Sequence, residues 1–162
     1  MINPLKISID YHGVITSNPA FFKTFNQIAL NKNIEIIVLS GAQSIDVKSY
    51  LEKNQIPYSC VWSLLDYFKQ KNLVSFNDDG SFHVADDIWD KAKARYCKEQ
   101  NINLHIDDSM LYGLYFQTPF CLYAPSIQKC QILKKNIPID FNQSAQKVLD
   151  DMIKALENLS SK

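Results

Sequence analysis

The sequence predicts an α/β fold built on a doubly wound parallel sheet. Three observations predict it. Short apolar runs of strand length alternate with segments of helical periodicity. The run Ile34-Glu35-Ile36-Ile37-Val38-Leu39 is nearly continuous, the signature of a strand covered on both faces. The runs also stop abruptly on polar or small residues, at Asp10, at Ser40-Gly41 and at Asp107-Asp108.

The first strand is read over Leu5 to Ile9, which alternates and ends at Asp10. Asn18-Pro19 predicts a helix start over Ala20 to Asn31, with Phe21, Phe25, Ile28 and Ala29 at helical spacing. Ile34 to Leu39 is the second strand. A helix from about Ser44 to Lys53 and a short strand from Tyr58 to Trp62 follow. Between Leu73 and Ala85, two β-like runs flank Asn77-Asp78-Asp79-Gly80, which predicts a small hairpin with the two acids as turn formers. The next helix spans about Asp87 to Gln100, capped by Asp86 or Asp87. Asn103 to Ile106 is a strand ending on the acid pair, and Phe120 to Tyr123 is one more. Gln143 to Leu159 is an amphipathic helix with Ala145, Val148, Leu149, Met152, Ile153, Leu156 and Leu159 on one face.

The 162 residues fit one domain, 1–162, with a sizeable core. Lys plus Arg equals Asp plus Glu at 17 each, so net charge favours neither a nucleic-acid backbone nor an anionic membrane. A long nucleic-acid substrate is disfavoured but not excluded. No apolar stretch approaches the roughly 20 residues that span a bilayer. "MINPLKISID" lacks a basic region followed by a long apolar one, so no signal peptide is expected. Cys60, Cys97, Cys121 and Cys130 form no C-x-x-C pair, which argues against a zinc knuckle or a redox motif and for reduced, mostly buried thiols in a cytoplasmic protein. His83 and His105 read as structural or surface residues, and Trp62 and Trp89 as packing residues. Nothing in the sequence indicates an oligomeric state.

Doubly wound sheets bind ligands beyond the carboxyl ends of their strands. Asp10, Ser40, Asp107 and Asp108 fall there. Three carboxylates on one rim repel one another unless a cation sits among them, and an oxygen-rich cluster suits Mg²⁺. A serine hydroxyl and a lysine supply donors to a phosphate group. Nucleophile, metal and phosphate clamp together are the parts of phosphoryl transfer to a carboxylate.

"IDYHGVIT", "IIVLSGA", a lysine-bearing helix and "LHIDDS" occur in the order of the four motifs of the haloacid dehalogenase-like superfamily, which the chain resembles over roughly residues 5–125. The resemblance implies a three-layer, Rossmann-like core with helices on both faces, and a Mg²⁺-dependent phosphatase acting through an aspartyl phosphate. By position it makes Asp10 the nucleophile and Ser40 the hydroxyl that holds the phosphoryl group. Asp10, Asp107, Asp108 and the backbone carbonyl of His12 become the metal ligands, with Asp107 the direct acid of the pair. The N–H groups of Tyr11, Gly13 and Gly41 are implied phosphate contacts. Lys91 and Lys93 both lie early in the helix before "LHIDDS". Lys93 is preferred, because "KARYCKEQ" resembles the compact lysine helix of small members.

His12 departs from the family pattern, which has a second aspartate two residues after the nucleophile. An imidazole, with an ordinary pKa of about 6.5, suits the same acid–base work. Slow turnover, or phosphate binding without catalysis, are the competing consequences. Between the first strand and Ser40 there is no room for a helical cap, so the site is expected to be open or covered by a small flap from the 73–85 hairpin. The substrate is expected to be a phosphorylated small molecule or a nucleotide. Two rival classes are a catalytically impaired phosphate- or metal-binding regulatory protein, and a receiver-type signalling domain. The late position of the acid pair disfavours the receiver.

Overall fold

Alternation in Ile7-Ser8-Ile9-Asp10 builds β1 (Lys6–Asp10), which runs through the middle of the sheet. The computed structural model describes residues 3–124, 129–132 and 135–161. A 3-10 turn at Ile15–Ser17 leads to α1 (Pro19–Asn31), whose Pro19 occupies the first turn and whose cap, Asn18 Oδ1, accepts the Phe21 N–H at 3.2 Å. β2 (Glu35–Ser40), α2 (Ser44–Lys53) and β3 (Cys60–Ser63) come next. α3 (Leu64–Gln70) starts at once, because Ser63 Oγ accepts the Asp66 N–H at 3.1 Å. β4 (Ser75–Phe76) and β5 (Phe82–His83) form an antiparallel pair of two residues each. The chain continues through α4 (Asp86–Glu99), β6 (Leu104–Asp107), α5 (Met110–Gly113) and β7 (Phe120–Leu122). It ends with β8 (Lys129–Ile132), β9 (Lys135–Pro138) and α6 (Ala145–Ser160), which is capped by Ser144.

The main sheet has the order β3-β2-β1-β6-β7-β8-β9. Its first five strands are parallel, and β8 and β9 extend it in antiparallel fashion. This is the expected α/β, Rossmann-like architecture. Strand order runs outward in one direction from β1 and in the other from β6. The reversal therefore falls between these two strands, and a crevice opens beyond their carboxyl ends.

The two faces of the sheet differ in chemistry. Ile7, Ile9, Ile36, Val38, Leu104 and Ile106 face one way, into a core shared with Phe22, Phe25 and Ala29 of α1, Val47 and Leu51 of α2, and Val148, Leu149 and Met152 of α6. Alternation turns the intervening residues to the opposite face. There Ile37 and Leu39 pack with Cys97 of α4, while α3 adds a second cluster of Leu64, Phe68, Val84 and Ala92. On β1 and β6, however, the residues facing α4 are polar: Ser8, Asp10, His105 and Asp107, all buried. Register places Ser8 opposite His105. The peptides "ISID" and "LHID" thus lay one polar stripe under α4.

Several boundaries and elements differ from expectation. α1 buries Phe22 rather than Phe21, which sits half-buried beside it. α4 is capped by Ala85 without a side-chain bond, so Asp86 and Asp87 lie inside its first turn, where their charge still favours the helix start. The hairpin keeps only two pairs, and Asp79 Oδ1 accepts the Ser81 N–H at 2.9 Å as a turn former. α3, α5, β8 and β9 carried no legible sequence signal. Cys97 and Cys121 are buried, but Cys60 is exposed, and the Cys130 side chain lies outside the described residues. In a chain with four glycines, α1 to α4 are each followed by a non-glycine residue of positive φ: Asn33 at 61°, Gln55 at 55°, Asn72 at 56° and Asn101 at 54°. Asparagine tolerates this left-handed turn, so Asn101 closes α4 before β6 without a glycine.

Candidate active site

The ends of β1 and β6 bring Asp10 and Asp107 together, and α4 lays a lysine across them. Trp89, Lys93 and Cys97 are four residues apart along α4 and therefore share its sheet-facing side. Lys93 is buried, and its ammonium donates to Asp10 Oδ1 and to Asp107 Oδ2, each at 2.7 Å. Lys91, two residues away, is exposed and stands over the Tyr115 ring at 5.7 Å. Helix geometry thus brings Lys93, and not Lys91, to the carboxylates.

Asp10, Asp107 and Asp108 place one carboxylate oxygen each within 4.8 Å of one another. Three carboxylates against one ammonium leave a formal charge of −2. Burial, reinforced by Asp107 and Asp108, outweighs Lys93 and pushes the Asp10 carboxyl up to about 7. Burial and the Asp107 charge also raise Asp108. Asp107 goes the other way. Burial opposes its ionisation, but the His105 hydrogen bond and the Lys93 ammonium hold it well below the usual carboxylate range. Burial alone would lower Lys93, but the two carboxylates prevail and raise it. A hard, oxygen-rich site with two units of uncompensated negative charge fits a divalent cation such as Mg²⁺.

Behind Asp107 lies a relay that the sequence did not announce. His105 Nε2 is 3.0 Å from Asp107 Oδ2, and its Nδ1 is 2.7 Å from Ser8 Oγ. Burial holds the imidazole neutral by lowering its pKa. Since Asp107 is the anion, Nε2 carries the proton and Nδ1 accepts from Ser8. Ser8 Oγ also meets Cys97 Sγ at 3.4 Å, and burial pushes that thiol up to about 12. His105 is therefore structural, as expected, but it is wholly buried and joined to the site.

The glycines have steric causes. Gly13 has φ of +79°, and a Cβ there would overlap Asp108 Oδ2. A Cβ on Gly41 would come within 2.8 Å of Trp89 Cζ2. Trp89 thus lies against the turn after β2, and its indole N–H donates to the Tyr112 hydroxyl at 3.2 Å.

These residues enclose a cavity of about 260 Å³ over the strand ends. Asp10, Asp108 and Lys93 form its polar floor, and His12, Gly41, Leu64, Trp89 and Tyr112 the rest. Trp89, read from sequence as packing, lines the site. His12 is exposed, its ring tilted against Tyr11 at 4.6 Å. Ser40 is fully buried, its Oγ accepting the Ala42 N–H at 3.0 Å, and it does not line the cavity. The expected backbone contacts need correction as well. The Tyr11 N–H donates to Leu39 O at 3.1 Å and the Gly13 N–H to Thr16 Oγ1 at 3.0 Å, so neither is left for a phosphate. Among the described residues, the N–H groups of His12 and Gly41 have no protein acceptor. Loop conformation, which sequence does not disclose, decides which amides are spent.

A cavity of about 410 Å³ lies on the outer side of α4, among Trp62, Tyr67, Lys91, Arg95 and Tyr96. None of Asp10, Lys93, Asp107 or Asp108 lines it. Among the described residues, no helix is long and apolar enough to cross a membrane. Comparison of the chain with protein-family models and with curated proteins found no match.

Proposed function

We propose that the protein is a Mg²⁺-dependent phosphomonoesterase of the haloacid dehalogenase-like type, acting through an aspartyl phosphate on Asp10. One observation carries the reading: Lys93, from a helix, bridges Asp10 and Asp107 from two strands, with Asp108 beside them. Three segments, the ends of β1 and β6 and the helix α4, meet at the strand-order reversal.

Asp10 attacks the phosphorus of a phosphomonoester. The P–O bond to the alcohol breaks, and His12, on the cavity wall, gives the departing oxygen a proton. His12 then takes a proton from water, whose oxygen attacks the aspartyl phosphate. Inorganic phosphate leaves and Asp10 is restored. The free N–H groups of His12 and Gly41 hold the phosphoryl oxygens. Lys93 keeps Asp10 oriented and offsets charge. Asp10, Asp107, Asp108 and the His12 carbonyl are the residues that would hold Mg²⁺, which supplies charge neutralisation between carboxylates and phosphoryl oxygens. Ser40 reaches the phosphoryl group only after turning its hydroxyl from Ala42.

The test is hydrolysis of p-nitrophenyl phosphate with Mg²⁺ by wild type, Asp10→Asn and His12→Ala. The expected outcome is turnover in wild type, none in Asp10→Asn, and a loss of roughly 10²–10⁴-fold in His12→Ala. Undiminished turnover in Asp10→Asn would sink the reading. The burial of Ser40 and the spent N–H groups of Tyr11 and Gly13 favour a second reading, a phosphate- and metal-binding regulator without turnover. Mg²⁺ binding without hydrolysis across a broad phosphoester panel would select it.

A further inference from the structure

The cavity over Asp10 also constrains what the phosphate is attached to. This inference rests on the phosphate-site reading above. At about 260 Å³ the cavity is smaller than the roughly 300–1,000 Å³ of sites that take drug-sized ligands, so its occupant is a phosphoryl group with a small substituent. Asp10, Asp108 and Lys93 serve the phosphoryl end. What remains of the wall is Trp89, Tyr112, the His12 ring and Leu64, with Gly41 between.

That wall is rich in rings and poor in hydrogen-bonding groups, and the Tyr112 ring already carries the Lys93 ammonium over it, 5.0 Å from its centroid. The Trp89 N–H is spent on the Tyr112 hydroxyl, which leaves the Tyr112 O–H and the His12 imidazole as the polar groups of that wall. A sugar, with several hydroxyls to satisfy, would find only those two polar groups on a wall otherwise made of Trp89 and Leu64. Among the described residues, Lys93 is the one Lys or Arg in the lining, and it already bridges two carboxylates. A di- or triphosphate chain therefore finds no second cationic side chain among the described lining residues.

The Trp89 ring is held in place rather than free. Gly41 admits it, and Phe82 of β5 and Phe68 of α3 stand at 5.7 Å and 6.0 Å from it. A fixed, solvent-edged indole beside a phosphate site is a stacking platform. We propose that the protein takes the monophosphate of a small aromatic alcohol, with Trp89 as the residue that selects the ring.

Calorimetry in Mg²⁺ with benzylphosphonate and methylphosphonate tests this without requiring turnover. Wild type is expected to bind benzylphosphonate about tenfold more tightly than methylphosphonate. Trp89→Leu should bring the ratio to about threefold or less. Trp89→Phe, which keeps a ring, should retain most of the preference, and shows that loss in the leucine variant is not misfolding. Equal affinities in wild type, or an unchanged preference in Trp89→Leu, overturn the proposal and leave the phosphate site standing. Binding of neither phosphonate overturns both.

Discussion

The Lys93 ammonium donates to Asp10 across 2.7 Å, joining residues 83 apart in the chain beneath the site. The same nitrogen serves Asp107, so removing it leaves two buried carboxylates without their cation. Lys93→Met keeps the length of the side chain and discards its charge. It should destabilise the fold by about 3–5 kcal/mol in metal-free buffer. Urea denaturation measures the loss. Adding Mg²⁺ should restore more stability to Lys93→Met than to wild type, because the cation then answers charge that no protein group answers. An equal response of both proteins would separate the carboxylates from metal binding.

Asp10 links stability to pH. Its carboxyl titrates at about 7 in the fold, against 3.8 for the ordinary group, because burial disfavours the anion. The unfolded chain releases this proton more readily than the folded one. The contribution of Asp10 to stability is therefore present at low pH and is lost as pH rises through about 7. Asp10→Asn stays neutral throughout. In metal-free buffer the variant should gain roughly 3 kcal/mol on wild type between pH 5 and pH 8. Denaturation curves at the two values give the difference directly. A constant difference would place Asp10 in contact with solvent.

Much of this architecture was legible in the chain, and for a physical reason. Strand ends in a doubly wound sheet face one crevice, so Asp10, Ser40 and the 107–108 pair stood out before any coordinates. Helical periodicity separates Lys91 from Lys93, and the fold turns the second inward. Other features depend on neighbours that sequence does not name. His105 reads as an isolated polar residue until register sets it against Ser8. The short α3 rests on the Ser63 cap and buries its apolar face against α4, a tertiary contact. Ser40 was placed at the right strand end, but its hydroxyl turns to Ala42 through a loop geometry that no pattern encodes.

Gln55 offers a test of backbone strain away from the site. It follows α2 with φ of 55°, and among the described residues it is the one non-asparagine of the four non-glycine residues with positive φ. A left-handed conformation costs a side chain about 1–2 kcal/mol, while glycine loses about 0.5–1 kcal/mol more entropy on folding. The first effect is larger. Gln55→Gly should raise stability by about 0.5–1 kcal/mol, despite losing the Lys23 hydrogen bond, which is exposed. Thermal denaturation at neutral pH checks the sign. Destabilisation would show that the Lys23 contact outweighs the strain.

The polar stripe under α4 makes a further prediction through Ser8 and His105, whose Oγ and Nδ1 lie 2.7 Å apart with both side chains buried. His105→Leu removes the donor to Asp107 Oδ2 and leaves the Ser8 hydroxyl with only its weak Cys97 Sγ partner at 3.4 Å. Each buried group left short costs about 1–3 kcal/mol. Ser8→Ala alone strips the acceptor of His105 of its proton donor and should cost less, since Nδ1 is one lone pair. With both replaced, the loss at Ser8 is no longer counted twice, because no hydroxyl remains to be stranded. The double variant should therefore be more stable than the sum of the single losses by about 1 kcal/mol, read from a double-mutant cycle in urea. Asp107 keeps the Lys93 ammonium and the Ser109 N–H in every variant, the latter at 2.9 Å, so the carboxylate stays oriented. Strict additivity would mean that Ser8 and His105 sit side by side without sharing a proton.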